Sequence, residues 1–223
     1  MAEVSTRLYW LLQSLIAFMP YLAVGLLAGS CVLAVSVLLA RYLLWDWLLP
    51  FEESFLLALR ERANPTLDRW MTVLTFLAQG EVTIPLLILI AGVLVYYKES
   101  ASALVLAIVL SGSWLLNGIF KSFFRRKRPD LWASSKRPID YSYPSGHSMS
   151  AISFYGLLAV YLTHLLSIPL SITSTIAAAL TIGVGFSRLY LGVHWPTDVL
   201  SGWMAGSIWL VVCLHGLNQI GAV

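Results

Sequence analysis

The sequence predicts an all-α, polytopic membrane helix bundle of about six transmembrane helices plus one amphipathic surface helix. Three observations carry this. Hydrophobic residues make up 59% of the 223 residues and charged residues only 11%, less than half the charged share usual in soluble domains. Mean hydropathy is +0.81. The apolar residues fall in long runs, and since a span needs about 20 of them, the chain holds roughly six spans with short connections and reads as one domain, 1–223. Such a composition excludes a disordered chain, a coiled coil or a secreted disulfide scaffold. Cys31 and Cys213 each lie inside an apolar run and imply no disulfide. A net charge of +3 is too small to point to nucleic acid.

Taken in order, Pro20 to Leu44 is the first span, with Leu8 to Met19 either extending it or lying along the interface. From Trp45 to Asp68, Phe51, Phe55, Leu56 and Leu59 recur at helical spacing opposite Glu52, Glu53, Arg60 and Arg62. That pattern predicts an amphipathic helix on the membrane surface, ended near Asn64-Pro65. Trp70 to Ala78 is apolar but is interrupted by Gln79-Gly80-Glu81, after which Val82 to Tyr97 gives a short second span. Lys98-Glu99 is a turn. Ser102 to Phe124 is the third span, stopped at Pro129 after a run of four cations. Ser148 to Leu166, Pro169 to Phe186 and Pro196 to about Leu217 are the fourth to sixth.

Parity then places the end of the third span, the start of the fourth, the end of the fifth and the start of the sixth on one side of the membrane. The polar residues collect there: Lys121 with Arg128-Pro129, then Pro144-Ser145-Gly146-His147, then Ser187-Arg188 with His194 and Asp198. Ionisable groups facing a bundle interior mark function. Lys121 offers a point charge, and Arg128 and Arg188 offer planar forks suited to phosphoryl oxygens. Ser145-Gly146-His147 precedes a helix whose free N–H groups would face the same anion, and Gly146 admits close backbone approach. His194 and Asp198 are four apart, one turn if Pro196 starts the last helix, so the carboxylate can fix one imidazole tautomer and leave the other nitrogen free to attack.

These residues resemble the type 2 phosphatidic acid phosphatase superfamily, whose three signatures are Lys-x6-Arg-Pro, Pro-Ser-Gly-His and Ser-Arg-x5-His-x3-Asp. All three stand here, as KSFFRRKRP from Lys121, PSGH from Pro144 and SRLYLGVHWPTD from Ser187. The motif region, 121–198, lies within a single integral membrane phosphatase domain. The resemblance implies a hydrolase that needs no metal or cofactor and works through a phosphohistidine on a lipid phosphate, such as phosphatidic acid, phosphatidylglycerophosphate or a polyprenyl diphosphate. It implies His194 as nucleophile, Asp198 as its partner and His147 as general acid and base, with Lys121, Arg128, Ser145, Gly146 and Arg188 on the phosphate. A lipid phosphotransferase would use the same His194 but exclude water. A non-catalytic anion or lipid transporter would have no use for the His-Asp pair. A vanadate-dependent haloperoxidase, which shares the oxyanion pocket, would carry a large soluble domain.

Other polar residues have plainer expectations. Arg125, Arg126 and Lys127 read as a basic interfacial anchor, and Lys136 and Arg137 as solvated loop charges. His164 and His215 read as interfacial or packed, Glu81 as a helix-start residue, and Asn117 as an interhelical hydrogen bonder. The loop between Pro129 and Pro144 has fourteen residues, so headgroup selection falls to the bundle walls and to the segment from Phe51 to Leu59. The protein is expected in the plasma membrane. With a cytoplasmic N-terminus the site faces outward, as the resemblance implies for bacterial members, although only Arg7 and Lys98 of the fourteen Lys and Arg then lie inside, against the positive-inside rule. The outward assignment is kept because an anion site itself demands cations.

Overall fold

The computed structural model describes residues 45–132 and 138–219, with isolated helical positions between 13 and 38. The expected first span, the segment before it, and Lys136 and Arg137 lie outside the described residues, apart from those isolated positions. The described helices are α1 (Trp45–Glu61), α2 (Pro65–Phe76), α3 (Gly80–Tyr96), α4 (Ser100–Phe124), α5 (Gly146–Leu166), α6 (Leu170–Tyr190) and α7 (Pro196–Gln219). Four of them, α4 to α7, are long and apolar enough to cross a membrane. A fifth crossing is available if α2 and α3, bent by 44° at their break, act as one broken span.

Local sequence explains most boundaries. Asn64 caps α2, its side chain accepting from the Thr66 and Leu67 N–H groups at 3.1 and 3.0 Å, and Pro65 takes the first helical position, where no N–H is needed. Arg125 ends α4 in the left-handed conformation, φ 49°, and turns the chain so that Arg126 and Arg128 enter the protein. Helix α6 runs past the expected end at Phe186 to Tyr190, so Arg188 stands on its last turn, buried. Its cationic head and the apolar residues beside it are compatible with helix once the cation has partners inside the bundle.

Helices α5 and α7 approach most closely through glycine. A Cβ on Gly202 would lie 2.6 Å from the Ser145 carbonyl oxygen, and one on Gly206 would lie 2.8 Å from that of Met149. Small residues at such crossings replace the hydrophobic drive that lipid removes. The core around them holds Trp209, Phe154, Met149 and Leu157, all fully buried. Trp209 Nε1 donates to the Val109 carbonyl at 2.7 Å, and Tyr161 Oη to that of Ser102 at 2.7 Å, tying α7 and α5 to α4. These bonds matter because polar atoms inside a bundle have no water to turn to.

Helix α1 departs from its expected orientation. Leu56 faces inward with Leu59, against Leu189, Trp195 and Val199. Phe51 and Phe55, however, point outward together with Trp47 and Leu57, while Glu52 is only 4% exposed. A helix lying against a membrane bundle has apolar surroundings on its outer side, so aromatic residues there carry no penalty, and the inward carboxylate is held by a cation supplied from elsewhere.

Candidate active site

The four chain ends singled out by parity do come together. Asn117 on α4 donates from Nδ2 to the Pro144 carbonyl at 3.1 Å, fixing the loop that enters α5. Its Oδ1 would lie 2.8 Å from a Cβ on position 146, which is why that residue is Gly146. The Ser145 N–H donates to the Asp198 carbonyl at 2.9 Å and joins the start of α5 to the start of α7. Asn117 reads in sequence as an interhelical hydrogen bonder; its partner is instead the loop that leads into α5.

His194 sits in the turn between α6 and α7, almost completely buried. Its Nδ1 lies 3.4 Å from Asp198 Oδ2, which also accepts the Trp195 N–H at 2.9 Å. Its Nε2 lies 3.0 Å from Arg128 Nη1. With an ionised Asp198 the proton belongs on Nδ1, so Nε2 keeps its lone pair toward the cationic side of the site. Burial, and then the charges of Arg128, Arg188 and Lys121, hold the His194 pKa well below 6.5, which keeps the imidazole neutral.

The cations are held in fixed directions. Arg128 donates to the Val193 carbonyl at 2.6 Å, to the Asp140 carbonyl at 2.8 Å and to Asp140 Oδ1 at 2.6 Å. Lys121 makes a short ion pair with Asp140 Oδ2. Arg188 donates from Nη1 to Thr75 Oγ1 on α2 at 2.6 Å, and its Nε is buried without a partner. His147, at the start of α5, likewise leaves Nε2 buried and unbonded. Buried polar atoms without partners are rare, and two at one site point to a ligand that supplies them. The first-turn N–H groups of α5 add donors that the helix itself does not use.

Ser145 is placed differently from a simple ligand. It is fully buried as the N-cap of α5, and its hydroxyl oxygen takes the Ser148 N–H at 3.4 Å and the Ser148 hydroxyl at 3.0 Å. Lys121, Gly146, His147, Asn117 and Asp140 share one cavity of ≈ 510 Å³, which continues along Ala78 to Glu81 and Trp114. Its wall is thus the α2–α3 break, α4, the start of α5 and Asp140, and none of its lining residues comes from the segment Phe51 to Leu59. Glu81 stands in the first turn of α3, as expected for a helix-start acid, and also lines this cavity.

Three partners were not foreseen. Asp140 bridges Lys121 and Arg128, with its side chain 50% exposed. Its burial alone would raise the pKa, but the Lys121 hydrogen bond and the charges of Lys121 and Arg128 bring it to about 2. Its only sequence signal is that it is one of two carboxylates, with Asp130, in the loop between two of the three signature motifs. Thr75, a small hydroxyl in an apolar stretch, offers no signal at all. Arg126 overturns the reading of a lipid-facing anchor: it is 8% exposed and donates to Asp198 Oδ1 at 2.7 Å and Glu52 Oε2 at 2.5 Å. Arg125 and Lys127 on either side remain exposed. Past the left-handed turn at Arg125 the burial alternates along the chain, with Arg126 inside and Arg125 and Lys127 outside.

Comparison with known proteins adds four findings. Residues 100–221 match the PAP2 superfamily. The chain is 37% identical over 159 residues to phosphatidylglycerophosphatase B of Bacillus subtilis, covering 70% of this chain and 77% of that protein. It is 33% identical over 165 residues to an undecaprenyl-diphosphatase of Sulfolobus acidocaldarius, covering 71% and 74% respectively. Among solved structures, the fold matches the crystal structure of a transmembrane PAP2-type phosphatidylglycerolphosphate phosphatase from Bacillus subtilis with a TM-score of 0.78 at 28% identity, over 87% of this chain and 96% of that one.

Proposed function

The chain belongs to the PAP2 superfamily, a multi-pass membrane phosphatase family, and from that membership we propose a metal-independent lipid phosphate phosphatase acting through a phosphohistidine. The observation that carries this reading is the orientation of His194, with Nδ1 toward Asp198 and Nε2 toward Arg128. In this reading the Nε2 lone pair forms a bond to phosphorus as the bond to the leaving oxygen breaks, and that oxygen takes the proton of His147. Water then attacks phosphorus, gives a proton back to His147, and the N–P pair returns to Nε2. Lys121, Arg128, Arg188 and the Gly146 N–H neutralise the equatorial oxygens, and Ser145 contributes by capping the helix that presents those donors.

The relatives' names support a phosphomonoester or diphosphate lipid as substrate. We place the protein in the plasma membrane with the site outward. Arg126, Arg128, Arg188 and Lys121 are all engaged by protein groups; setting them aside leaves eight outward cations against two, so the outward assignment rests on the resemblance and the anion site and not on the positive-inside rule. The test is phosphate release in mixed micelles with chelator present, from phosphatidic acid, phosphatidylglycerophosphate and undecaprenyl diphosphate. Chelator-resistant release is expected, with the ranking of kcat/KM naming the substrate; release only with added divalent metal would refute the reading.

The depressed pKa of His194 makes a prediction with a definite sign. A protonated imidazole has no lone pair to donate, and a lowered pKa keeps it neutral to more acid pH. The acid limb of kcat/KM, corrected for the substrate's own second ionisation, is therefore expected well below pH 6.5, the ordinary histidine value. A limb at or above 6.5 would contradict the neutral nucleophile.

A further inference from the structure

We infer that Glu52, on α1 and outside the residues matched to the family, is a positioning residue for the nucleophile: through Arg126 it sets the charge that Asp198 presents to His194. The inference rests on the phosphohistidine reading above. It is drawn from a buried chain of contacts. Glu52 Oε2 receives Arg126 Nη2 at 2.5 Å, and Arg126 Nη1 reaches Asp198 Oδ1 at 2.7 Å, leaving Oδ2 for His194. The other oxygen of Glu52 accepts the Thr197 N–H at 2.9 Å and the Thr197 hydroxyl at 2.6 Å, so it also grips the first turn of α7, which carries Asp198. Arg126 lies over the Trp195 ring at 5.4 Å, which limits the directions its fork can take.

Charge arithmetic gives this arrangement a role beyond packing. Arg126 alone would neutralise Asp198 and leave no net charge behind a neutral imidazole. With Glu52 present, one cation stands between two carboxylates, and the cluster carries a net negative charge. When Nε2 bonds to phosphorus the ring becomes cationic, and the cluster with the ring becomes neutral. The opposing charges around the ring are Arg128 from the loop after α4, Lys121 from α4 and Arg188 from α6, with Asp140 on the far side of Arg128. Three cations needed for the phosphate therefore disfavour a cationic imidazole, and the second carboxylate offsets them from behind. Buried ion pairs contribute little to stability compared with apolar packing, which is consistent with this pair being kept for the charge it places.

The test compares kcat, KM and thermal midpoint for wild type, Glu52→Gln and Glu52→Asp, beside His194→Ala, with the same micellar substrate. A charge role predicts that Glu52→Gln loses about 10- to 100-fold in kcat with KM within about threefold, the scale of removing one unit charge near a developing one in a protein interior. Glu52→Asp, which keeps the charge but shortens the reach, is expected above Gln. A packing role predicts the reverse order, because Gln preserves the shape of Glu and Asp does not; Gln equal to or above Asp would overturn the inference. Should Glu52→Gln fail to fold, Glu52→Asp against Glu52→Asn gives the same comparison at matched size, with Asp expected higher and Asn at or above Asp overturning it. Release that survives His194→Ala would overturn the histidine mechanism itself, whereas His194-dependent release with the wrong Asp–Gln order would overturn the Glu52 role alone.

Discussion

His194→Ala is expected to lower phosphate release by about 10⁴-fold or more, with the protein still folded and still binding an oxyanion. Deleting a nucleophile removes the covalent path altogether, and a loss of that size corresponds to about 5 kcal/mol of transition-state stabilisation. The neighbouring groups have other engagements: Asp198 is bound to Arg126 and the Trp195 N–H, and His147 is assigned to the leaving group in the mechanism proposed above. The anion site should outlast the mutation because Arg128 keeps its bonds to the Val193 carbonyl and to Asp140, and Arg188 keeps Thr75. Calorimetry with tungstate or phosphate on the variant measures that separately. Phosphate binding with release above about 1% of wild type, a loss of less than roughly 3 kcal/mol, would mean that water attacks phosphorus directly.

Much of this site could be read from the chain because its parts are local. Pro-Ser-Gly-His reads as a helix start, and a histidine two residues before a helix-starting proline is brought near an aspartate in that helix's first turn; neither needs tertiary information. The spans α4, α5 and α7 were equally legible, since a run of apolar residues has one stable place in a bilayer. What escaped depends on partners distant in sequence. Arg126 lies 74 residues from Glu52 and 72 from Asp198, and in sequence a buried ion pair looks like two surface charges. The same holds for α1: its periodicity gave a helix ended near Asn64-Pro65, close to the observed end at Glu61, but hydropathy cannot tell an aromatic side facing lipid from one facing protein. The sequence groups Phe51 and Phe55 with Leu56 and Leu59 opposite Glu52, whereas the structure turns Leu56 and Glu52 inward and the two phenylalanines outward. The 44° bend between α2 and α3 was visible only as an interruption at Gln79-Gly80-Glu81, with nothing to say that the break would wall the cavity.

The identity of the leaving group decides how much His147 matters, and this gives the second large effect. His147→Ala is expected to cost about 10²- to 10⁴-fold in kcat/KM on a lipid phosphomonoester, the range for removing a general acid. The departing alkoxide is a strong base and cannot leave without a proton. The same variant should lose far less on a substrate whose leaving oxygen is already a weak base, such as an aryl phosphate or the terminal phosphate of a diphosphate lipid. Geometry supports the assignment, since His147 Nε2 is buried without a partner and the residue lines the cavity beyond Lys121, along the α2–α3 break. In the proposed mechanism a leaving group seated there would take its proton from that nitrogen. Using kcat/KM confines the comparison to formation of the phosphoenzyme, so a slower second step, in which His147 activates water, does not mask the trend. A loss of the same size for every leaving group would instead assign His147 to binding the phosphate, and the proton would have to come from elsewhere in the cavity.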